Sequence, residues 1–207
     1  MTQQIIVNSR AIDILAVLML MTTIVLIGTS RLRTCIWAYA CRSFMLTLAS
    51  GLIAYFFGIH HIYITTGISL ALKVIVIPGF LFYIVKKNNI KKEVGSYMNY
   101  TLALILACGI ILIAYYSTQN IIQFENIFMR HCLPIALSIT LLGFFVMIIR
   151  KQAIIQIIGL ITMEDGMFFA ALSTSYGMPL IVELGLFFDI LVSVIIMGIY
   201  VYRIKES

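Results

Sequence analysis

Apolar stretches of about 20 residues follow one another along almost the whole chain, and this pattern limits the possible folds more than any other feature. A helix that crosses a bilayer needs about 20 mostly apolar residues. The chain is 62% hydrophobic and 11% charged, with a mean hydropathy of +1.09, unlike a soluble domain. Continuous apolar runs without an alternating pattern favour helices over an outer-membrane barrel. We therefore expect an all-α fold, a polytopic membrane helical bundle.

Seven such stretches are separated by short polar gaps, and we predict one membrane-spanning helix for each. The first stretch is too long for a cleaved signal peptide and lacks a polar cleavage region, so we expect it to be the first span. The polar linker KKNNIKKEVGS is predicted to separate a front three-span part, 1–93, from a rear four-span part, 94–207. The predicted spans are 11–30, 35–57, 62–85, 97–117, 130–149, 152–174 and 179–202.

Basic residues near the span ends collect on one side of the predicted bundle. By the positive-inside rule, the side with the excess faces the cytoplasm. This rule places the N-terminus outside and the C-terminus in the cytoplasm, and the expected location is the inner membrane of a bacterium or archaeon. The outer side has only Arg10 and Arg130, whereas the basic side has Arg31, Arg33, Lys86, Lys87, Lys91, Lys92, Arg150, Lys151, Arg203 and Lys205.

Ionisable residues inside the spans are the strongest indication of function. They are Arg42 in the second predicted span, Lys73 in the third, Glu164 and Asp165 in the sixth, and Asp189 in the seventh. A charged residue at the centre of a span costs about 2.5–3.5 kcal/mol on insertion scales. Neighbouring helices must therefore stabilise these side chains, above all the two adjacent acids of the sixth span.

Three of these residues fall at one predicted depth. Lys73, Glu164 and Asp189 each lie thirteen or fourteen residues from the basic residue that ends their span. At 1.5 Å per residue this is about 20 Å, near the middle of the hydrocarbon layer; Arg42 lies somewhat nearer the cytoplasm. Two interpretations stay open: a buried ion pair of Lys73 with one of these acids, or groups that carry protons. Glu183, near the outer interface, is either an outer relay or a solvated residue.

The segments YACRSF (39–44), LKVIVIPGF (72–80), RKQAIIQIIGLITMEDG (150–166) and VELGLFFDILVSVIIM (182–197) occur in this order along the chain. Together they resemble the hydrogenase-4 component E family, which are membrane subunits of formate hydrogenlyase-type, group 4 nickel-iron hydrogenases. The resemblance covers essentially the entire chain. The last three spans, 130–203, also resemble the K subunit of respiratory complex I and the C subunit of Mrp-type antiporters.

The resemblance implies roles for several residues. In the wider family two adjacent helices each carry a buried glutamate of a lateral proton pathway, and their positions correspond to Ile161 and to Asp189 or its neighbour. Glu164 lies one turn beyond Ile161 on the same helix face. We therefore predict Glu164 and Asp189 as proton carriers and Lys73 as the cation that modulates them. Because neighbouring residues of a helix point about 100° apart, we expect Glu164 and Asp165 to have different partners, and Asp165 to cap or to pair against a neighbouring subunit.

The resemblance also implies a non-catalytic subunit of a larger oxidoreductase. Its expected partners are antiporter-like membrane subunits and a membrane anchor subunit, with no nucleic acid and no small-molecule substrate. The nickel-iron site and iron–sulfur clusters are expected in partner subunits, with no cofactor in this chain. Two alternatives stay open: a non-conducting assembly subunit, and a subunit of a complex I-like or Mrp-type cation-proton antiporter without hydrogenase. The sequence also leaves proton and sodium as alternative ions.

Overall fold

The computed structural model describes the chain over residues 2–57, 66–67, 70–87, 95–124 and 132–175. Within these ranges the chain is helical apart from short turns, and no strand is present beyond one isolated backbone bridge. The all-α fold class predicted from the sequence is therefore confirmed. The helices are α1 (Thr2–Gly28), α2 (Leu32–Phe57), a π-helix (Leu70–Val76) that continues into α3 (Ile77–Lys87), α4 (Tyr100–Phe124), α5 (Cys132–Ile149) and α6 (Ala153–Ser175).

Five of the described helices, α1, α2, α4, α5 and α6, are long and apolar enough to cross a membrane. The third predicted span, 62–85, corresponds to the π-helix and α3, and its apolar segment Lys73–Tyr83 is shorter. The seventh predicted span, 179–202, lies outside the described residues. The total number of spans and their orientation in the membrane stay predictions.

α5 and α6 form a very close antiparallel pair. A Cβ atom at Gly143 would overlap the backbone nitrogen of Met163, and one at Gly166 would lie 2.6 Å from the backbone nitrogen of Thr140. Small residues allow such close approach in membranes, where helices associate mainly through packing and interhelical hydrogen bonds. Gly166 directly follows Asp165, so this contact fixes the position of the acidic pair along α6.

The π-helix holds Lys73 in a wider turn than an α-helix provides. Pro78 follows it at the start of α3. Proline has no N–H group, and its ring clashes with the carbonyl one turn earlier, which accounts for the change of helix type before it. π-helical turns are rare and occur often at functional sites. The apolar pattern alone does not indicate this turn.

Arg150 is fully buried in the turn between α5 and α6. Its Nη2 donates hydrogen bonds to the carbonyls of Leu26, Ile27 and Thr29 at 3.2, 2.6 and 3.0 Å. Its guanidinium group also lies 5.2 Å from the ring centre of Tyr100. The last carbonyls of a helix have no partner within it, so Arg150 caps the C-terminus of α1. In the sequence, Arg150 is one of the basic residues that indicate topology, and its capping contact with α1 is not predicted.

Exposed aromatic side chains mark two levels of the bundle. In α2, Trp37 and Tyr55 are 66% and 71% exposed. They are eighteen residues apart, about 27 Å along a helix, close to the ~30 Å of a hydrocarbon layer. Trp and Tyr are enriched at both membrane interfaces. The exposed side chains of Arg31, Arg33 and Lys86 lie at the end marked by Trp37, which we name the basic end.

The interior contains two apolar clusters stacked along the bundle axis. The basic-end core includes Ile27, Ile36, Leu81, Val146 and Ile158. The distal core includes Ile12, Leu46, Ile139 and Phe169. Along α2 and α6, the charged residues of the membrane interior lie between these two cores.

Candidate functional site

Three helices bring the ionisable residues of the membrane interior together. Arg42 comes from α2, Lys73 from the π-helix, and Thr162, Glu164 and Asp165 from α6. We name these five residues the charge cluster, and none of them is more than 4% exposed. Lys73 lies within reach of two carboxylates from the rear part of the chain, which agrees with the common depth that the sequence predicts for Lys73 and Glu164.

Asp165 is the centre of the charge cluster. Its Oδ1 accepts a hydrogen bond from Lys73 Nζ at 2.8 Å, and its Oδ2 accepts from Arg42 Nη2 at 3.1 Å and Nε at 3.3 Å. Hydrogen bonds between ionised groups are the strongest that side chains make. The prediction that Asp165 pairs with a neighbouring subunit is wrong, because both cations of the cluster bind it within this chain.

Glu164 shares one of these cations with Asp165. Lys73 Nζ lies 3.5 Å from Glu164 Oε1, against 2.8 Å from Asp165 Oδ1. The expectation that the adjacent acids have different partners is therefore wrong. Their side chains leave the helix in different directions, but the long lysine side chain from another helix ends between them. Lys73 binds Asp165 more closely and Glu164 more loosely.

Thr162 is a member of the cluster that sequence analysis missed. Arg42 Nη1 donates a hydrogen bond to Thr162 Oγ1 at 2.7 Å. The guanidinium group of Arg42 also lies 5.6 Å from the ring centre of Tyr39, one turn earlier on α2. Thr162 precedes Asp165 by three residues and therefore shares its helix face. This spacing is the sequence signal that could have identified it.

Buried hydroxyl groups of α2 lead away from the cluster. Ser43, Thr47 and Ser50 lie on one helix face, since they are separated by four and three residues. Thr47 Oγ1 donates to the Ser43 carbonyl at 2.7 Å, Ser50 Oγ donates to the Thr47 carbonyl at 2.9 Å, and Ser50 Oγ lies 3.2 Å from Thr66 Oγ1. We name these four residues the hydroxyl line. It runs from the cluster past the distal core.

Two predicted site residues, Asp189 and Glu183, lie outside the described residues. Within the described ranges, no group of three or more His, Cys, Asp or Glu side chains is placed to hold a metal ion. A separate polar contact lies at the distal core, where Cys132 Sγ donates a hydrogen bond to Asp13 Oδ1 at 3.3 Å. The assignment of nickel, iron and iron–sulfur clusters to partner subunits stays a prediction.

The fold and the cluster define an integral membrane helical bundle with ionisable side chains buried between its apolar cores. The sequence is 25% identical to hydrogenase-4 component E of Escherichia coli strain K12 over 202 residues, 97% of this chain and 93% of that protein. The protein of the same name in Shigella flexneri gives the same values. The chain is also 31% identical over 145 residues to the uncharacterized protein Rv0085 of Mycobacterium tuberculosis, covering 69% of this chain and 66% of that protein.

No family model matches the chain, and no solved structure matches it. The similarity to hydrogenase-4 component E is distant but extends over nearly the full length. Together with the apolar helices, it fits a membrane subunit of a hydrogenase-like complex. The resemblance of residues 130–203 to the complex I K subunit and the Mrp C subunit stays a prediction.

Proposed function

We propose that this protein is a membrane-arm subunit of a hydrogenase-4-like, complex I-related assembly, and that its charge cluster takes part in proton movement coupled to electron transfer in partner subunits. The observation that carries the proposal is the sharing of Lys73 between Glu164 and Asp165 inside the membrane. Intramembrane ionisable residues are costly and commonly mark ion pathways. The proposed partners are antiporter-like subunits and a membrane anchor subunit.

Glu164 is the cluster carboxyl that is best suited to exchange a proton. Asp165 has both oxygens engaged by Arg42 and Lys73, whereas Glu164 is 3.5 Å from Lys73. A small movement of Lys73 toward Glu164 favours the ionised carboxylate, and a return to Asp165 allows a proton to neutralise Glu164 in its buried position. Asp189 is the second proposed carrier, on the basis of the motif resemblance.

A proton suits the charge cluster better than a sodium ion. Hard cations require several oxygen ligands around them. Asp165 already accepts hydrogen bonds from Arg42 and Lys73 at both oxygens, and Thr162 Oγ1 accepts from Arg42 while donating to the Ile158 carbonyl at 2.5 Å. A third cation would meet the two positive charges already present. A proton requires only one carboxylate oxygen as its acceptor.

A non-conducting assembly subunit is the second candidate, and the balance of charges in the cluster favours it. Arg42 and Lys73 supply two positive charges, and Glu164 and Asp165 supply two negative charges. Such a neutral network can join α2, the π-helix and α6 without any change of protonation. Buried pairs often add little net stability, however, which argues against a purely structural role for four charges.

The test uses the intact complex purified with this subunit and reconstituted into liposomes. Proton movement and hydrogenase turnover are measured separately for Glu164→Gln and Asp189→Asn. Both substitutions keep size and hydrogen-bonding capacity but remove the titrating group. Asp13→Asn is the matched control, since it makes the same chemical change at Asp13, outside the charge cluster.

We expect Glu164→Gln and Asp189→Asn to lower the number of protons moved per turnover severalfold, while Asp13→Asn keeps the wild-type ratio. The ratio should not depend on the sodium concentration. Assembled complexes that move protons at the wild-type ratio in both variants would establish the structural candidate instead. Sodium movement that Glu164→Gln abolishes would overturn the choice of ion.

A further inference from the structure

The hydroxyl of Thr162 joins α6 to the arginine that binds Asp165. Thr162 is fully buried. Its Oγ1 accepts a hydrogen bond from Arg42 Nη1 at 2.7 Å and donates one to the Ile158 carbonyl at 2.5 Å. With its own proton directed to the helix backbone, the oxygen presents its lone pairs to Arg42. Thr162 is therefore oriented as an acceptor for the guanidinium group.

The rest of the Arg42 side chain is directed at Asp165. Nε and Nη2 both donate to Asp165 Oδ2, at 3.3 and 3.1 Å, while Nη1 is occupied by Thr162. The Tyr39 ring lies 5.6 Å from the guanidinium carbon. A planar guanidinium group holds its donors in fixed directions, so it can donate to Thr162 on one side and to Asp165 on the other. A lysine ammonium cannot reproduce this geometry. Thr162 thus binds the terminal nitrogen of Arg42 that does not bind Asp165.

We infer that Thr162 is a positioning residue that, by fixing Arg42 on Asp165, confines proton exchange in the charge cluster to Glu164. This inference rests on the proposed function, because it names what selects the exchanging carboxyl group at that same site. The described charged and titratable groups around Asp165 are Arg42 and the buried phenol of Tyr39 on α2 and Lys73 on the π-helix, with Glu164 beside it on α6. Because Arg42 stays bound to Asp165, Lys73 can move between Asp165 and Glu164.

The chemistry of the cluster explains why the hydroxyl matters. Valine has nearly the shape of threonine but no acceptor, so Arg42 in a Thr162→Val variant loses one hydrogen bond and its fixed rotation. Asp165 then depends more on Lys73, and a proton can replace the weakened contact. Serine keeps the acceptor with one methyl group fewer. The pair Thr162→Val and Thr162→Ser therefore separates the hydroxyl from the packing of the side chain.

The test is infrared difference spectroscopy of the full-length protein in lipid nanodiscs during a pH titration. The carbonyl stretch of a protonated carboxyl group reports each acid that titrates, and Glu164→Gln and Asp165→Asn assign the bands. We expect the wild-type protein to show a band that Glu164→Gln removes and Asp165→Asn does not. Thr162→Val should add a second band, which is lost in the double variant Thr162→Val/Asp165→Asn, and Thr162→Ser should match the wild type.

Arg42→Lys provides a second test if Thr162→Val does not fold. It keeps the positive charge but removes the guanidinium donors that bind Thr162 and Asp165 at the same time. It should also add the Asp165 band. The role of Thr162 would be overturned if the wild-type protein showed an Asp165 band. It would also be overturned if no folded Thr162→Val or Arg42→Lys sample showed this band. Neither result would contradict the proposed function. A wild-type titration without a Glu164 band would instead contradict the proposed function.

Discussion

Among individual side chains, Asp165 should contribute more to stability than its neighbour Glu164. Asp165 holds Arg42 and Lys73 together, whereas Glu164 lies further from Lys73. Removal of one partner from a buried ion pair leaves a charge without compensation and costs about 3–5 kcal/mol. Asp165→Asn should therefore lower the free energy of unfolding in detergent by about this amount, and Glu164→Gln by roughly 1 kcal/mol. An equal loss for both variants would contradict the central position of Asp165.

The sequence predicted the common depth of Lys73 and the acids of α6 more reliably than it predicted how these residues pair. The depth count correctly placed Lys73 near the acids of α6, because the rise per residue of a helix is nearly constant. The direction of a side chain from its helix is less informative, since Lys73 enters from another element and contacts both Glu164 and Asp165. Arg150 was counted as a topology indicator, because nothing local distinguishes a capping arginine from one at the membrane surface.

Between helices, the contact of α5 with α6 depends on the absence of a side chain at Gly143. An alanine there would overlap the backbone of Met163 and force the helices apart. We expect Gly143→Ala to lower the free energy of unfolding by about 1–3 kcal/mol, the usual cost of overpacking. Gly109→Ala in α4 is the matched control, since a Cβ there meets nothing within 4 Å. It should be neutral or stabilise the protein by about 0.5–1 kcal/mol.

Detergent unfolding of both variants measures these changes. Similar stability of Gly143→Ala and Gly109→Ala would show that the helix pair tolerates a wider separation. The apolar pattern predicted α5 and α6 as spans but not this contact. Gly143 and Gly166 give no periodic signal on their own, and only the packed pair shows that each of them faces the backbone of the other helix.

The hydroxyl line of α2 should control how fast Glu164 exchanges its proton with water from the distal side. Thr47→Val combined with Ser50→Ala removes two of its four hydroxyl groups. We expect hydrogen–deuterium exchange of the Glu164 carboxyl, followed by infrared spectroscopy after mixing with D₂O, to slow by about tenfold, or roughly 1.4 kcal/mol in the barrier.

Thr23→Val in α1 is the matched control for the hydroxyl line. Thr23 is buried and donates to the Met19 carbonyl at 2.9 Å, the same local bond that Thr47 makes to Ser43. It lies toward the basic end, away from the line, so its loss should leave the exchange rate unchanged. Equal rates in the two variants would show that the α2 hydroxyls serve only local helix bonding.

For the molecule as a whole, the charge cluster joins the two parts that the polar linker suggested. Arg42 and Lys73 belong to the predicted front part, 1–93, and Asp165 to the rear part, 94–207. α1 also packs against α5, and Arg150 of the rear part caps α1. The linker is thus a boundary in composition, while the ion pairs and the core extend across it. Linear sequence shows a change in polarity but not which spans pack together.

The orientation of the bundle can be tested without changing its charges. Ser30 and Asn99 are exposed at the basic end, and Gln119 is exposed near the other end of α4. In a background without native cysteines, each is changed to cysteine and treated with a membrane-impermeant maleimide in intact cells. The positive-inside rule predicts that Gln119→Cys reacts at once, while Ser30→Cys and Asn99→Cys react only after permeabilisation. The opposite pattern would place the basic end outside and would contradict the orientation that the positive-inside rule predicts.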